Sequence, residues 1–183
     1  MSKSSKGEFV MDLEKIRAQA RKDMDEGPVT SSYGADRETV LKLLNGALAT
    51  ELVCTLRYKR RYFMAKGIDS EAVAQEFAEH ATEEQGHADT LAARIVQLGG
   101  APDFAPDSLT GRSHSEYKEG TSLTDMIREN LIAERIAIDT YREIIRYLGD
   151  GDGDVTTRRI LEEILAVEED HADDMADLLA GRE

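Results

Sequence analysis

The sequence predicts an all-α protein: four long helices arranged as two antiparallel hairpins joined by one long crossover, with a helical extension in front. Three observations predict it. Helix-forming Ala, Leu, Glu and Arg are abundant and Trp is absent. The three prolines, Pro28, Pro102 and Pro106, fall between the helical patterns and never inside one. Four long segments repeat apolar residues at spacings of three and four, and no run of useful length alternates as a strand does.

Residues 9–26 read as a short amphipathic helix ended by Gly27-Pro28, followed by the polar linker VTSSYGA, which makes residues 1–35 an extension. The first long helix is expected from Arg37 to about Lys66, capped by Asp36 and stopped by Gly67. The second is expected from about Glu71 to Leu98, behind Asp69 or Ser70 and before Gly99-Gly100. The third runs from Leu123 to Leu148 behind Ser122. The run GDGDGD then makes a tight turn whose last residue, Asp154, caps a fourth helix from Val155 to about Ala180. The bundle therefore spans residues 36–181. Connections of a few residues force helices one and two, and three and four, into antiparallel pairs. The 23-residue stretch 99–121, with two prolines and four glycines, is long enough to run back along a helix of ~40 Å.

A chain of 183 residues suffices for one domain with a full core. Its 37 acidic and 23 basic residues give a formal net charge of −14, which attracts cations and works against general binding to DNA or acidic membranes. The lone cysteine, Cys54, excludes an intramolecular disulfide and a CxxC metal knuckle. The first residues, MSKSSKGEFVMDLEKI, lack the apolar core of a signal peptide, and no apolar run is read as approaching the roughly 18–20 residues of a membrane span. A cytoplasmic location is expected.

The apolar stripes carry the chemistry. On the first helix the stripe reads Val40, Leu44, Ala47, Glu51, Cys54, Tyr58, Tyr62, and on the second Val73, Phe77, His80, Glu84, His87, Leu91, Ile95. The third reads Leu123, Ile127, Asn130, Glu134, Ile138, Tyr141, Ile145, Leu148, and the fourth Leu161, Ile164, Glu168, His171, Met175, Leu178. Each stripe is expected to face the core, and each is interrupted near its middle by a glutamate. Two are interrupted again three residues later by a histidine, one turn along the same face. Glu51 and Glu134 are 83 residues apart, and Glu84 and Glu168 are 84 apart, so the hairpins present near-copies of one pattern.

A single Glu-x-x-His on an acidic helix reads as a solvated face. Here the glutamates occupy core positions. An unpaired buried carboxylate costs several kcal/mol unless it changes protonation or finds a cation. Four at one level, with no Lys or Arg on the stripes, call for positive charge, and two divalent metals would supply it. Oxygen-rich ligands with one imidazole per ion suit iron or manganese better than zinc. Tyr58 lies near this level as an electron donor, a hydrogen-bond partner or a satisfied core tyrosine. His80, one turn before Glu84, reads as a hydrogen-bonded core histidine or a transient third iron ligand. Asn130 is placed to orient a ligating histidine. Glu83 is expected on the solvent side, His114 solvated in the crossover, and Cys54 as a small core residue.

One Glu from each of two helices, plus Glu-x-x-His from each of the other two, resembles the di-iron constellation of the ferritin-like proteins, whose bundles also carry one long crossover. The resemblance covers residues 36–181. ELVCTLRY, with Glu51 and Tyr58, is similar to the first bundle helix of bacterioferritins, where a tyrosine lies beside the iron site. EQGHAD is similar to their second helix and EEDHADD to their fourth. It implies two irons per subunit, bridged by Glu84 and Glu168, with Glu51 and Glu134 terminal and His87 and His171 each completing one iron. It implies oxidation of Fe(II) to Fe(III) by hydrogen peroxide or dioxygen, and storage in a hollow homo-oligomeric shell. Gln85 stands where bacterioferritins place a haem-ligating Met, so haem is not expected. The chain ends twelve residues after His171, without the fifth helix of 24-subunit shells. That favours the 12-subunit shell of the DNA-protecting mini-ferritins, although those usually place iron between subunits.

Three other readings remain. A DNA-binding mini-ferritin would use the N-terminal segment, but Lys3, Lys6, Lys15, Arg17, Arg21 and Lys22 are balanced there by Glu8, Asp12, Glu14, Asp23, Asp25 and Glu26. A rubrerythrin-like di-iron peroxidase would draw electrons from a Cys-rich module that this chain lacks. A manganese catalase or di-iron oxygenase would need a substrate channel.

Overall fold

Side-chain caps open three of the four long helices where the sequence places them. Asp36, Ser122 and Asp154 accept from the backbone N–H of Thr39 (3.2 Å), Asp125 (3.1 Å) and Thr157 (2.9 Å). They open α2 (Arg37–Met64), α5 (Leu123–Leu148) and α6 (Val155–Ala180), and α3 spans Ser70–Gln97. Gly99, at φ 76°, follows α3 in the left-handed conformation that glycine adopts most readily. The computed structural model describes residues 10–22, 24–67, 70–149 and 153–181, and these contain no strand. Asp69, the middle of GDGDGD, and Lys3, Lys6, Glu8 and Asp23 lie outside the described residues.

Several expectations need correction. The helix expected over 9–26 shrinks to α1 (Leu13–Gln19) and a 3-10 turn at Met24–Glu26. Leu13 and Ile16 stay exposed, so no packed face supports a longer helix. The crossover is not wholly irregular: α4 (Pro106–Arg112) starts on Pro106 and lays Leu109 against Ala49 and Val53 of α2. The first helix stops at Met64 instead of Lys66. By composition alone α2 is apolar enough to cross a membrane, with a mean hydropathy of 1.3 over its best window, contrary to the reading above. In the bundle it packs on α3, α4 and α5, as a core helix does.

Side-chain pairs give the topology. Glu51 meets Tyr141, Tyr58 meets Glu134, and Arg61 meets Asn130, so α2 and α5 run antiparallel. Arg94 bonds Thr157 and Glu83 bonds His171, so α3 and α6 are antiparallel too. The crossover has therefore returned the chain to the end where α3 began. Leu44, Leu48, Leu91, Ile95, Leu161 and Ile164 fill one end of the core, and Phe77, Ile127 and Met175 the other. The glutamates lie between these two apolar clusters.

The α2 stripe turns away from its predicted course near its C-terminus. Tyr62 is 40% exposed, whereas Arg57 and Arg61 are fully buried. The returning crossover covers that face: Arg57 donates to Glu116 O (3.3 Å) and Arg61 to Lys118 O (2.5 Å). Positive charge thus lies close to the stripes after all, but these guanidinium groups bond backbone carbonyls, Cys54 and Asn130 rather than the central carboxylates.

At the far end, buried Arg94 forks onto both oxygens of Asp154 (2.7 and 3.0 Å), which also accepts from Tyr33 Oη (2.8 Å) and caps α6. Asp154→Ala leaves Arg94 buried without its charge partner. We expect a loss of about 3–5 kcal/mol, read as a lower urea midpoint. Burial opposes the charge of Asp154, but its bonds to Thr157 and Tyr33 and the charge of Arg94 hold its carboxyl below the ordinary range. The folded pKa lies below the unfolded one. This contribution is therefore complete above about pH 4 and lost as pH falls through the depressed value, so the midpoints of variant and parent should converge in acid.

Candidate metal centre

All six residues singled out as ligands meet at mid-height of the bundle. Glu51 comes from α2, Glu84 and His87 from α3, Glu134 from α5, and Glu168 and His171 from α6. The four carboxylates are at most 1% exposed. They form two overlapping groups. Glu51, Glu84, His87 and Glu168 make one, and Glu84, Glu134, Glu168 and His171 the other, each with its ligand atoms within 4.8 Å of one another. Glu84 and Glu168 belong to both. Each group adds one further glutamate and one imidazole, as the repeat predicts.

Both imidazoles turn Nδ1 inward. His87 Nδ1 lies 2.9 Å from Glu168, 3.4 Å from Glu51 and 3.7 Å from Glu84. His171 Nδ1 lies 3.7 Å from Glu168 and 3.8 Å from Glu84, while its Nε2 meets Glu83 at 2.8 Å. The approach of His87 to Glu168 is the shortest of these Nδ1 contacts.

A sequence profile of the Ferritin-like domain family matches residues 41–182. This chain belongs to the ferritin-like family. Among solved structures, this ferritin-like chain is similar to the bacterioferritin-related protein of Bacteroides fragilis, described as a dodecameric thioferritin. The two share 32% identity over 81% of this chain and 88% of the other, with a TM-score of 0.77. It is 28% identical to the bacterioferritin of Rhodobacter capsulatus, over 73% of this chain and 78% of that one. It is 29% identical to the DNA protection during starvation protein of Pyrococcus furiosus, over 62% and 63%.

The centre of this ferritin-like bundle is short of positive charge. Glu51 Oε2, Glu134 Oε2, both oxygens of Glu84 and of Glu168, and Nδ1 of His87 and His171 are buried with no hydrogen-bond partner. Such atoms are costly unless something pairs with them. They are all metal-ligand atoms and they converge, which is the donor set that a pair of divalent ions fits. Protonation answers the same demand. Burial, with the charge of Glu168 beside it, pushes the Glu84 carboxyl well above its usual range, and burial raises Glu134 to about 8. Burial works against the charge of the histidines and of Glu168. The carboxylates around the imidazoles nevertheless raise His87 to about 10 and His171 to about 9, and the imidazoles lower Glu168 to about 2.

Tyr58 reaches the centre and donates to Glu134 Oε1 at 2.5 Å. Tyr141 does the same for Glu51. Burial and the neighbouring carboxylates push both phenols well above their ordinary value, so both remain donors. The role of Tyr141 was missed in the sequence, although a signal exists: each tyrosine follows a terminal-type glutamate by seven residues, Glu51 to Tyr58 and Glu134 to Tyr141. Two turns along one helix, each tyrosine serves the glutamate of the opposite helix.

Other readings change. Asn130 orients no histidine. Its Oδ1 accepts from Arg61, because the buried guanidinium occupies that level. Glu83 is solvent-exposed as expected but bends back to His171 Nε2, the side-chain contact that holds the ring with Nδ1 inward. His80 is buried, with Nδ1 3.1 Å from Tyr58 Oη and its ring stacked 3.9 Å from that of His171. Cys54 is buried, and burial pushes its thiol up to about 12. His114 is exposed in the crossover, as expected, with its ring over Gly46, where a Cβ would come within 2.9 Å of Nε2.

Proposed function

We propose that this ferritin-like protein is a ferroxidase that oxidises two Fe(II) at once inside each subunit and stores the Fe(III) in a hollow homo-oligomeric shell. The observation that carries the reading is the convergence of unpartnered ligand atoms from Glu51, Glu84, His87, Glu134, Glu168 and His171. Four carboxylates match the charge of two Fe(II) ions. Glu84 and Glu168 would be shared between them, Glu51 with His87 would close one position, and Glu134 with His171 the other. Iron is the substrate here. Two electrons, one from each iron, reduce one peroxide together with two protons to two waters, and no hydroxyl radical is released. Tyr58 and Tyr141 keep the terminal carboxylates turned inward by donating to them. Oxidation leaves the site with excess positive charge, which favours release of Fe(III) toward the acidic interior of a shell.

The dodecameric Bacteroides relative supports twelve subunits. The Pyrococcus relative keeps DNA protection as a second reading, which the net charge of −14 opposes.

Anaerobic Fe(II) titration, followed by peroxide, tests the proposal. Two Fe(II) per chain are expected to bind before oxidation, and one peroxide to be consumed per two irons. One peroxide per single iron, or binding confined to one ion, would rule out paired oxidation.

A further inference from the structure

The basic residues of this acidic chain are not spread evenly. From 52 to 67 it carries Arg57, Lys59, Arg60, Arg61 and Lys66 and no acidic residue. Arg57 and Arg61 are buried under the crossover, and Arg60 pairs with Glu119. Lys59 and Lys66 are exposed, and neither has an ion-pair partner among the described residues. Leu56, Lys59 and Phe63 follow at spacings of three and four on one face of α2. Leu56 is 51% exposed and Phe63 76%, and the Phe63 ring meets the exposed ring of Tyr62 edge-on, 4.8 Å between centroids. Apolar surface of this kind, rimmed by unpaired charge, marks an interaction site.

The opposite charge gathers on α6. From 160 to 181 the chain carries eight acidic residues and no Lys or Arg. Glu162, Glu163 and Glu169 are paired within the chain to Arg158, Arg159 and Arg142. Asp170, Asp173 and Asp177 are exposed, share one face of the helix and have no cation partner among the described residues. Exposed Ala176 and Ala180 lie beside them, which leaves room for an aromatic ring on that face. Both surfaces are at the same end of the bundle, since Tyr58 of α2 and Met175 of α6 share one apolar cluster. They are on different corners, because α2 packs on α3 and α5 and α6 packs on the same two helices. One chain cannot bring its own two surfaces together.

We propose that the α2 patch of Leu56, Lys59, Phe63 and Lys66 seats the Asp170, Asp173 and Asp177 face of α6 from a second copy of this chain. Charge selects this pairing over a symmetric one. A two-fold axis through the patch would set Lys59 and Lys66 against their own copies. The contact is therefore head to tail, and in a closed shell such contacts form a ring around this end of the bundle. The lysine and aspartate charges set the register, and Phe63 is the anchor that the contact buries. The inference rests on the shell reading above and names the surfaces that build it.

Native mass spectrometry and light scattering of the full chain at about 0.15 M salt test it, with circular dichroism to show that each variant keeps its helices. The parent is expected as a closed assembly. Lys59→Glu with Lys66→Glu is expected to lose that assembly to smaller species, and so is Asp173→Lys with Asp177→Lys. A chain carrying all four substitutions is expected to regain the parental mass, because the charges are exchanged and the pairing is restored. A double variant that assembles as the parent does, or a fourfold variant that stays dissociated, overturns the contact. Loss of single-stranded DNA binding in Lys59→Glu with Lys66→Glu, at unchanged mass, would make the patch a nucleic-acid surface instead. A parent that runs as a monomer would sink the shell reading, and this contact with it.

Discussion

Glu84→Ala is expected to abolish rapid iron oxidation and tight binding at both central positions, whereas Glu51→Ala leaves one. Glu84 belongs to both ligand groups, so its loss removes an oxygen from each. Glu51 belongs to one, and its loss leaves Glu84, Glu134, Glu168 and His171 together. Even partners one shell beyond the ligands cost roughly 10–100-fold when removed, and a shared ligand should cost at least the upper figure. Stopped-flow absorbance of Fe(III) formation reads the rate, and anaerobic titration reads the number of ions held. We expect Glu84→Ala to fall about 100-fold or more in rate and to hold neither ion tightly. Glu51→Ala should hold one ion and lose only the paired reaction. Equal behaviour of the two variants would contradict a shared Glu84.

Glu84→Leu should make the metal-free protein more stable while removing its function. Both Glu84 oxygens are buried without a partner, and the side chain sits between apolar clusters. Leaving a buried polar group unsatisfied costs about 1–3 kcal/mol. Leucine of similar volume removes that cost. For a chain of this length the gain corresponds to roughly 2–12 °C in melting temperature. Scanning calorimetry in chelator should therefore rank Glu84→Leu above the parent. Added Zn(II), a redox-inert probe, should reverse the order, because binding stabilises only the chain that keeps its ligands. A metal-free variant that melts below the parent would show that Glu84 is already satisfied by packing or water. The trade of stability for a charged site is what a metal centre in a hydrophobic bundle entails.

Much of this was legible because a helix places residues three and four apart on one face. Glu51, Glu84, His87, Glu134, Glu168 and His171 could be selected as polar interruptions of apolar stripes, and the 83- and 84-residue offsets showed that the interruptions align. The caps Asp36, Ser122 and Asp154 were legible for a similar reason, since a cap bonds the backbone three residues on. Tyr141 was harder. Its hydroxyl serves Glu51, 90 residues away, and periodicity on one helix does not say which neighbour a long side chain reaches. Arg57 and Arg61 lie off the predicted apolar stripe. They are buried because the crossover lays the carbonyls of Glu116 and Lys118 over them.

The sequence by itself determined four helices, their antiparallel pairing and the convergence of four carboxylates and two imidazoles at one level. These follow from local rules, namely helical period, capping and loop length, that act within a few residues or count them. Tertiary structure alone decided that each tyrosine serves the opposite helix, that Glu83 bends back to His171, and that His80 is locked between Tyr58 and two surface carboxylates. Those facts depend on how deeply and at what rotation the helices pack. That is set by the summed fit of all their side chains, which no single stripe of residues encodes.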